Sequence, residues 1–279
     1  MNKLPGLTDI GYWSEMKLNI VKEYAAAYST ILSKHPLKHV YIDAFAGAGV
    51  HVSRQSNELV LGSPLNALYV EPPFKELHLI DLDGKKIDLL KEITRTHPNV
   101  FVYHGDANEI LLTEVFPKVR FQDFRRGLCL LDPYGLHLDW KVLQAAAETG
   151  TIEIFLNFPI MDMNRNALYK SFEIADEKER GRMTSFWGDD SWKRAAYTEP
   201  AQQNLFGDAP LQKESNFVIA ESFRQRLKSV AGFKFVPEAI PMRNTSGATI
   251  YYLFFASQNE TGARIATSIL NKYKEKGLR

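Results

Sequence analysis

A single cysteine, Cys129, stands in 279 residues, which excludes an internal disulfide and any site built from several thiolates. It lies in the apolar run G-L-C-L-L at 127–131, where a buried strand thiol is expected. The seven histidines show no H-E-x-x-H or comparable ligand spacing, so no metal centre is expected. Excess charge of one sign is missing too: 34 Lys and Arg against 33 Asp and Glu leave a formal net charge of +1. That balance excludes a strongly basic nucleic-acid binder and leaves only local patches. No apolar run approaches the ~18 residues of a membrane helix. The opening M-N-K-L-P-G-L-T-D-I lacks the apolar core of a signal peptide. A soluble, cytoplasmic protein is expected.

What is present reads as alternating strands and helices. Residues 14–33 place Val21, Tyr24, Tyr28, Ile31 and Leu32 on one helical face, and Pro36 ends the helix. A strand at 39–46 runs into Gly47-Ala48-Gly49. Residues 50–61 read as a long loop, and Ser63-Pro64 as the N-cap and first position of a helix. Strands follow at 77–82, 99–104, 127–131 and 152–158, with helices after Asp83 and at about 139–149. Residues 160–213 break the rhythm with M-D-M-N-R-N, a charged helix around 166–180, the aromatics Trp187, Trp192 and Tyr197, and a polar stretch at 198–210. The pattern resumes with a helix at 214–231, strands at 233–243 and 248–256 joined by Asn244-Thr245-Ser246-Gly247, and a helix at about 261–276. The reading is an α/β core over 1–159 and 214–279 with a mostly helical insertion at 160–213.

The functional expectation centres on H-V-Y-I-D-A-F-A-G-A-G at 39–49. A strand ending in small residues opens onto the crevice where nucleotides bind in open α/β sheets, and Asp43 is expected to aim its carboxylate there. Val52 stands where a dinucleotide fingerprint needs its third glycine, so that reading fails. No G-x-x-x-x-G-K-[ST] is present, which excludes a P-loop. Acids tip three further strands at Asp81, Asp106 and Asp132. Each is equally a helix-cap residue type, and capping is the expected role of Asp83.

Five parallel-type strands, a helix and a terminal hairpin resemble class I S-adenosylmethionine-dependent methyltransferases, whose last strand inserts antiparallel. D-A-F-A-G-A-G resembles their D-x-F-x-G-x-G, and D-P-Y-G resembles the D-P-P-Y motifs of amino-group methyltransferases and the D-P-F-G of tRNA guanine-N2 dimethyltransferases. Together with G-S-P-L, I-D-L-D, G-D-A-N, M-D-M-N-R-N and I-Y-Y-L-F-F-A-S, these motifs look like the three-Cys-motif partner (TcmP) proteins over about residues 12–270. Those are methyltransferase-like proteins encoded beside a phage-type three-cysteine protein. The family is described as carrying a winged-helix-like part, which would fall in the insertion.

The resemblance implies a Rossmann-like class I methyltransferase sheet and S-adenosylmethionine as cofactor. It assigns cofactor binding to Asp43, Phe45, Ala46, Gly47 and Gly49, to Asp81 and Leu82, and to Asp106 and Ala107. Asp81 would accept from the ribose hydroxyls, as acids at that position do in nucleotide folds. Asp106 and the Ala107 N–H would meet the adenine. Asp132, Pro133 and Tyr134 are the catalytic candidates, because a carboxylate and a carbonyl can orient a conjugated amine and an aromatic ring can stack on its base. The aromatic comes one position earlier than in D-P-P-Y, and a plain turn is the competing reading. Gly135, Asp162, Arg165 and Asn166 are placed on the acceptor rim. Tyr12, Trp13 and Lys17 are expected either to cover the cofactor or simply to pack.

The function expected is methylation of an exocyclic amino group of a nucleic-acid base. The alternative is a cofactor-binding or non-catalytic partner of the three-cysteine protein. The basic last helix, with Arg264, Lys272, Lys274 and Lys276, is the one stretch that favours a polyanion, and solvated tail charge explains it equally well.

Overall fold

The computed structural model describes residues 8–169, 176–198 and 211–276. Strand β1 (Thr8–Ile10) leads into helix α1 (Tyr12–Leu32), which buries Ile20, Val21, Tyr24 and Tyr28 against the sheet. Strand β2 (Lys38–Asp43) is buried from His39 onward, as a central strand covered on both faces must be. Residues 50–61 are not a loop. They form β3 (Val50–Ser53) and β4 (Leu59–Leu61), an antiparallel hairpin whose free edge pairs with β1 in parallel. That third strand comes from the far side of α1, so local sequence carried no sign of it.

Helix α2 (Ser63–Leu68) has Gly62, and not Ser63, as its N-cap. The Gly62 N–H donates to Gly49 O at 2.7 Å, which sets the helix start against the glycine turn. The Ser63 hydroxyl instead acts on Asp43. Then come β5 (Glu76–Asp81), α3 (Gly84–Thr94), β6 (Val100–His104), α4 (Ala107–Ile110), β7 (Arg125–Leu131), α5 (Trp140–Thr149) and β8 (Ile152–Phe158). Asp83 caps α3 as expected, accepting from Lys85 N at 2.9 Å.

Beyond Pro159 the structure forms α6 (Ile160–Asn166), α7 (Glu177–Trp187) and α8 (Trp192–Ala196). The charged helix expected around 166–180 is not seen in the described part of that span: α6 ends at Asn166, and α7 starts only at Glu177. The Leu168 N–H bonds back to Met163 O and closes α6, and Asp176 caps α7. Residues 170–175, and most of the polar stretch at 198–210, lie outside the described residues. A two-residue ladder joins β9 (Tyr197–Thr198) to β10 (Gln212–Lys213), and α9 (Asn216–Ser229) returns to the core. The chain closes with β11 (Ile240–Arg243), β12 (Thr249–Ala256) and α10 (Glu260–Lys276). The strand expected from 233 begins only at Ile240. Pro237 lacks a backbone donor, and Phe235 makes just an isolated bridge to Ser257.

The main sheet has seven strands in the order β11-β12-β8-β7-β2-β5-β6. Strands β6, β5, β2, β7 and β8 are parallel, while β12 runs antiparallel to β8 and β11 antiparallel to β12. The order reverses at β2, which pairs with β5 on one side and β7 on the other. In open α/β sheets that switch point is where a crevice forms beyond the strands' carboxyl ends. Alternate residues of each strand feed two buried layers. Tyr41, Leu79 and Leu130 face α1 and α10, and Ile42, Cys129 and Leu156 face α5 and α9. The aromatics Trp187 and Trp192 join the second layer with Phe223 and Phe254, so the insertion shares the core of the sheet. No helix among the described residues is long and apolar enough to cross a membrane.

Candidate active site

The carboxyl ends of β2, β5, β6 and β7 open into one cavity of about 920 Å³. It gathers Phe45 and Gly47, Asp81 and Leu82, Asp106 and Ala107, the Asp132–Gly135 turn, and Asp162 with Arg165 from α6. Four strand ends and one helix, separated by as many as 120 residues of sequence, thus contribute to a single wall.

The glycine turn is built for close approach. Gly47 has φ +64° and nothing within 4 Å of where a Cβ would stand, so its backbone borders open space. Gly49, at φ +79°, lies behind it against Leu65 and Leu90. Ala46 is likewise buried and off the cavity. Asp81 closes across the turn: its Oδ2 accepts from Gly47 N at 2.8 Å and its Oδ1 from Asp83 N at 2.9 Å. Asp106 caps α4 through Oδ1, accepting from Asn108 N at 2.7 Å. Capping and cavity lining therefore coexist in one carboxylate.

Asp43 lies elsewhere than expected. It is fully buried beneath the wall, where Oδ2 accepts from the Tyr41 hydroxyl at 3.3 Å. Main-chain pairing continues past the strand, with Ala44 N donating to Leu130 O and Ala46 N to Ile80 O, and this keeps the Asp43 side chain under the crevice. Burial pushes its carboxyl up to about 7, against the pull of the Ser63 hydroxyl; the nearby Asp132 carboxylate adds to the rise.

Asp132 is held from two sides. Its Oδ2 accepts from Lys17, an α1 side chain only 8% exposed, and its Oδ1 accepts from Asn157 Nδ2 at 2.7 Å. The Lys17 ammonium also sits 5.5 Å from the centroid of the Tyr251 ring. Lys17 is therefore wired to the strand-end acid, and Asn157 is a site residue the sequence reading missed. The available signal was a lone amide in the otherwise apolar end of I-E-I-F-L-N-F. His51, on β3, also lines the cavity; burial, and then Lys17, lower its imidazole below the usual value and keep it neutral at pH 7.

The D-P-Y-G turn presents rather than buries its aromatic. Tyr134 is 88% exposed on the cavity rim. Gly135 has φ +60°, and a Cβ there would stand 2.7 Å from Asp162 Oδ2, so the turn needs glycine for both conformation and space. Asn166 donates to Asp162 Oδ1 at 2.9 Å without lining the cavity. Arg165 is exposed on the rim and makes no ion pair among the described residues. No group of His, Cys, Asp and Glu among those residues could hold a metal ion.

Comparison with known proteins finds no matching family model and no matching curated sequence. Among solved structures, a Legionella pneumophila protein of the DUF519 family superposes with a TM-score of 0.57 at 11% identity, covering 93% of this chain and 92% of that one. A putative S-adenosylmethionine-dependent methyltransferase from Listeria monocytogenes gives 0.42 at 12% identity over 85% of this chain and 99% of that one. The N-methyltransferase NodS from Bradyrhizobium japonicum, in complex with S-adenosyl-L-homocysteine, gives 0.43 at 10% identity over 89% of each. At such identities likeness concerns the fold alone, and only the first superposition is close enough to carry weight. Strand order and the antiparallel β12 give the chain the Rossmann-like class I methyltransferase fold, and the Legionella pneumophila protein shares that fold over nearly all of its length.

Proposed function

We propose that the protein is an S-adenosylmethionine-dependent methyltransferase acting on an exocyclic amino group of a nucleic-acid base. The observation that carries this reading is Asp132, held in place by Lys17 and Asn157 beside the exposed Tyr134 ring on the same cavity as Gly47, Asp81 and Asp106.

The residues present fit the cofactor. The cavity has room for a nucleoside with an amino-acid tail, and Gly47 leaves open space where any side chain would stand. Asp81 and Asp106 each spend one or two lone pairs on backbone N–H groups and keep others for ribose hydroxyls and an adenine amine. When bound, S-adenosylmethionine supplies an electrophilic methyl group on a sulfonium. The chain's own task is then alignment, which is where most of the advantage in an in-line displacement lies. Asp132 and the Pro133 carbonyl accept the two N–H groups of a planar amine and turn its lone pair out of conjugation. Lys17 and Asn157 each engage one oxygen of Asp132, which fixes its orientation and leaves lone pairs to accept from the amine. Tyr134 offers a free ring face to the base, which must leave any duplex to reach it.

Support for a polyanion shifts from the last helix to the rim. Lys272 pairs with Glu23 and Lys274 with Glu238, which accounts for two of that helix's cations within the fold. Arg165 and Tyr134 line one cavity, the combination a nucleotide would use, ring for base and guanidinium for phosphate. Tritiated methyl transfer to total tRNA, rRNA and DNA, with Asp132→Ala as control, tests the reading. Label entering one of these and lost in the variant is the expected result; label entering none would overturn the nucleic-acid acceptor.

A further inference from the structure

A second cavity, of about 470 Å³, lies at the opposite end of the sheet, between the second half of α1, the first turn of α10 and the start of β7 and β8. Its polar residues include two of opposite charge. Glu153 is 8% exposed, and its oxygens accept from the Tyr24 and Ser257 hydroxyls and from no cation among the described residues. Arg126 stacks over Phe121 at 4.3 Å and donates to Arg125 O, pairing with no carboxylate among those residues. The two charges share one sheet face. Leu128 stands opposite Glu153, and Arg126 is two residues along the same strand, about 8 Å away between Cα atoms by strand geometry. They are near enough to pair and do not.

Tyr28 lies with them. It is 7% exposed, and its hydroxyl has no hydrogen-bond partner. Burial and then the Glu153 carboxylate push its phenol up, while the Arg126 guanidinium pulls it down, so the ring feels both charges. A buried carboxylate without a counter-cation and a buried hydroxyl without a partner are both costly, and native structures keep such groups where something else meets them. The first turn of α10 contributes as well. A Cβ on Gly262 would stand 2.5 Å from Glu153 Oε1, so the helix start is pressed onto the carboxyl, which burial pushes up against the pull of the Tyr24 and Ser257 hydroxyls. Ile31, Leu32 and Ile265 supply an apolar part of the wall.

We propose that this cavity binds a small zwitterion, a free α-amino acid with an apolar side chain. Its ammonium meets Glu153, its carboxylate meets Arg126 and the Tyr28 hydroxyl, and its side chain lies against Ile31, Leu32 and Ile265. A ligand of either single charge leaves the other group uncompensated. The site lies at the opposite end of the sheet from the cofactor cavity and does not depend on the methyltransferase reading.

Thermal-shift titration of the full-length protein with L-leucine, L-methionine and L-phenylalanine, each to about 10 mM, tests this, with n-butylamine and butyrate as half-ligands. At least one amino acid is expected to raise Tm saturably, with neither half-ligand matching it. Tyr28→Phe and Arg126→Ala should each weaken that response at least about tenfold, and Asp81→Ala should leave it intact. Tyr28→Phe removes a hydroxyl that has no partner, so the variant should fold with undiminished Tm. No shift with any of the three amino acids would overturn the proposal. So would a shift matched by butylamine or butyrate alone, one that survives in both variants, or one that vanishes in Asp81→Ala and so belongs to the cofactor cavity.

Discussion

At the scale of single residues, the Lys17–Asp132 pair does two jobs. It anchors α1 to the tip of β7, and it fixes the position of the acid that lines the cavity. Removing one partner leaves the other charge uncompensated, with Lys17 the more deeply buried of the two. Asp132→Ala is therefore expected to lower stability by about 2–3 kcal/mol in urea denaturation, less than a fully buried pair because Asp132 is partly exposed. The double variant Lys17→Met, Asp132→Ala should regain most of that loss. Asp43 makes a pH-dependent prediction. Its carboxyl is raised in the folded protein to about 7, from an ordinary value of 3.8, so the folded state holds a proton that the unfolded chain has released between those values. Asp43 thus contributes stability that is fully present below about pH 4 and is lost as the pH rises to about 7, at up to about 1.4 kcal/mol per pH unit. Asp43→Asn should flatten stability against pH across that window and leave the variant relatively more stable than the parent at pH 8. A slope unchanged by the substitution would contradict the placement of Asp43 beneath the wall.

At the scale of elements, the sequence was most informative where one segment decides its own structure. The strand at 152–158 and the Asp83 cap were legible because an apolar run and an Asx cap are local. The β3–β4 hairpin was not, because its stability comes from β1, some forty residues earlier. Lys17 could be placed in α1 by periodicity, yet its partner lies 115 residues away, and no helical pattern reports that. The start of α2 was misplaced by one residue because a main-chain bond between Gly62 and Gly49 overrode the side-chain preference of Ser63. The same turn separates two glycines that look alike in sequence. Gly47→Ala faces open space and should cost about 1 kcal/mol of backbone strain, while its methyl narrows the cavity. Gly49→Ala adds contacts of 3.2 Å with Leu90 and 3.3 Å with Leu65 and should cost about 2–3 kcal/mol. Chemical denaturation of both variants checks that order, and cofactor titration should show the larger loss of affinity in Gly47→Ala.

At the scale of the whole molecule, sheet order and site position follow from the alternating pattern of strands and helices, whereas the integration of the insertion does not. Phe223 of α9 meets Trp140, Phe158, Trp187 and Phe254, and so joins α5, α7 and the sheet in one aromatic cluster. The chain is expected to unfold in one cooperative transition, and Phe223→Ala to lower its stability by about 3–5 kcal/mol without splitting that transition. Ile160 and Met163 of α6 share that buried layer with Tyr252 and Phe254 of β12, which holds Asp162 and Arg165 on the rim of the cavity.

The central claim is that the cavity over β2, β5, β6 and β7 is an S-adenosylmethionine site, and calorimetric titration of the purified protein tests it most directly. Binding in the low-micromolar range or tighter, about −8 kcal/mol, is expected, with an affinity at least about tenfold weaker in Asp81→Ala. Absence of binding to the folded protein, or binding indifferent to Asp81, would contradict it.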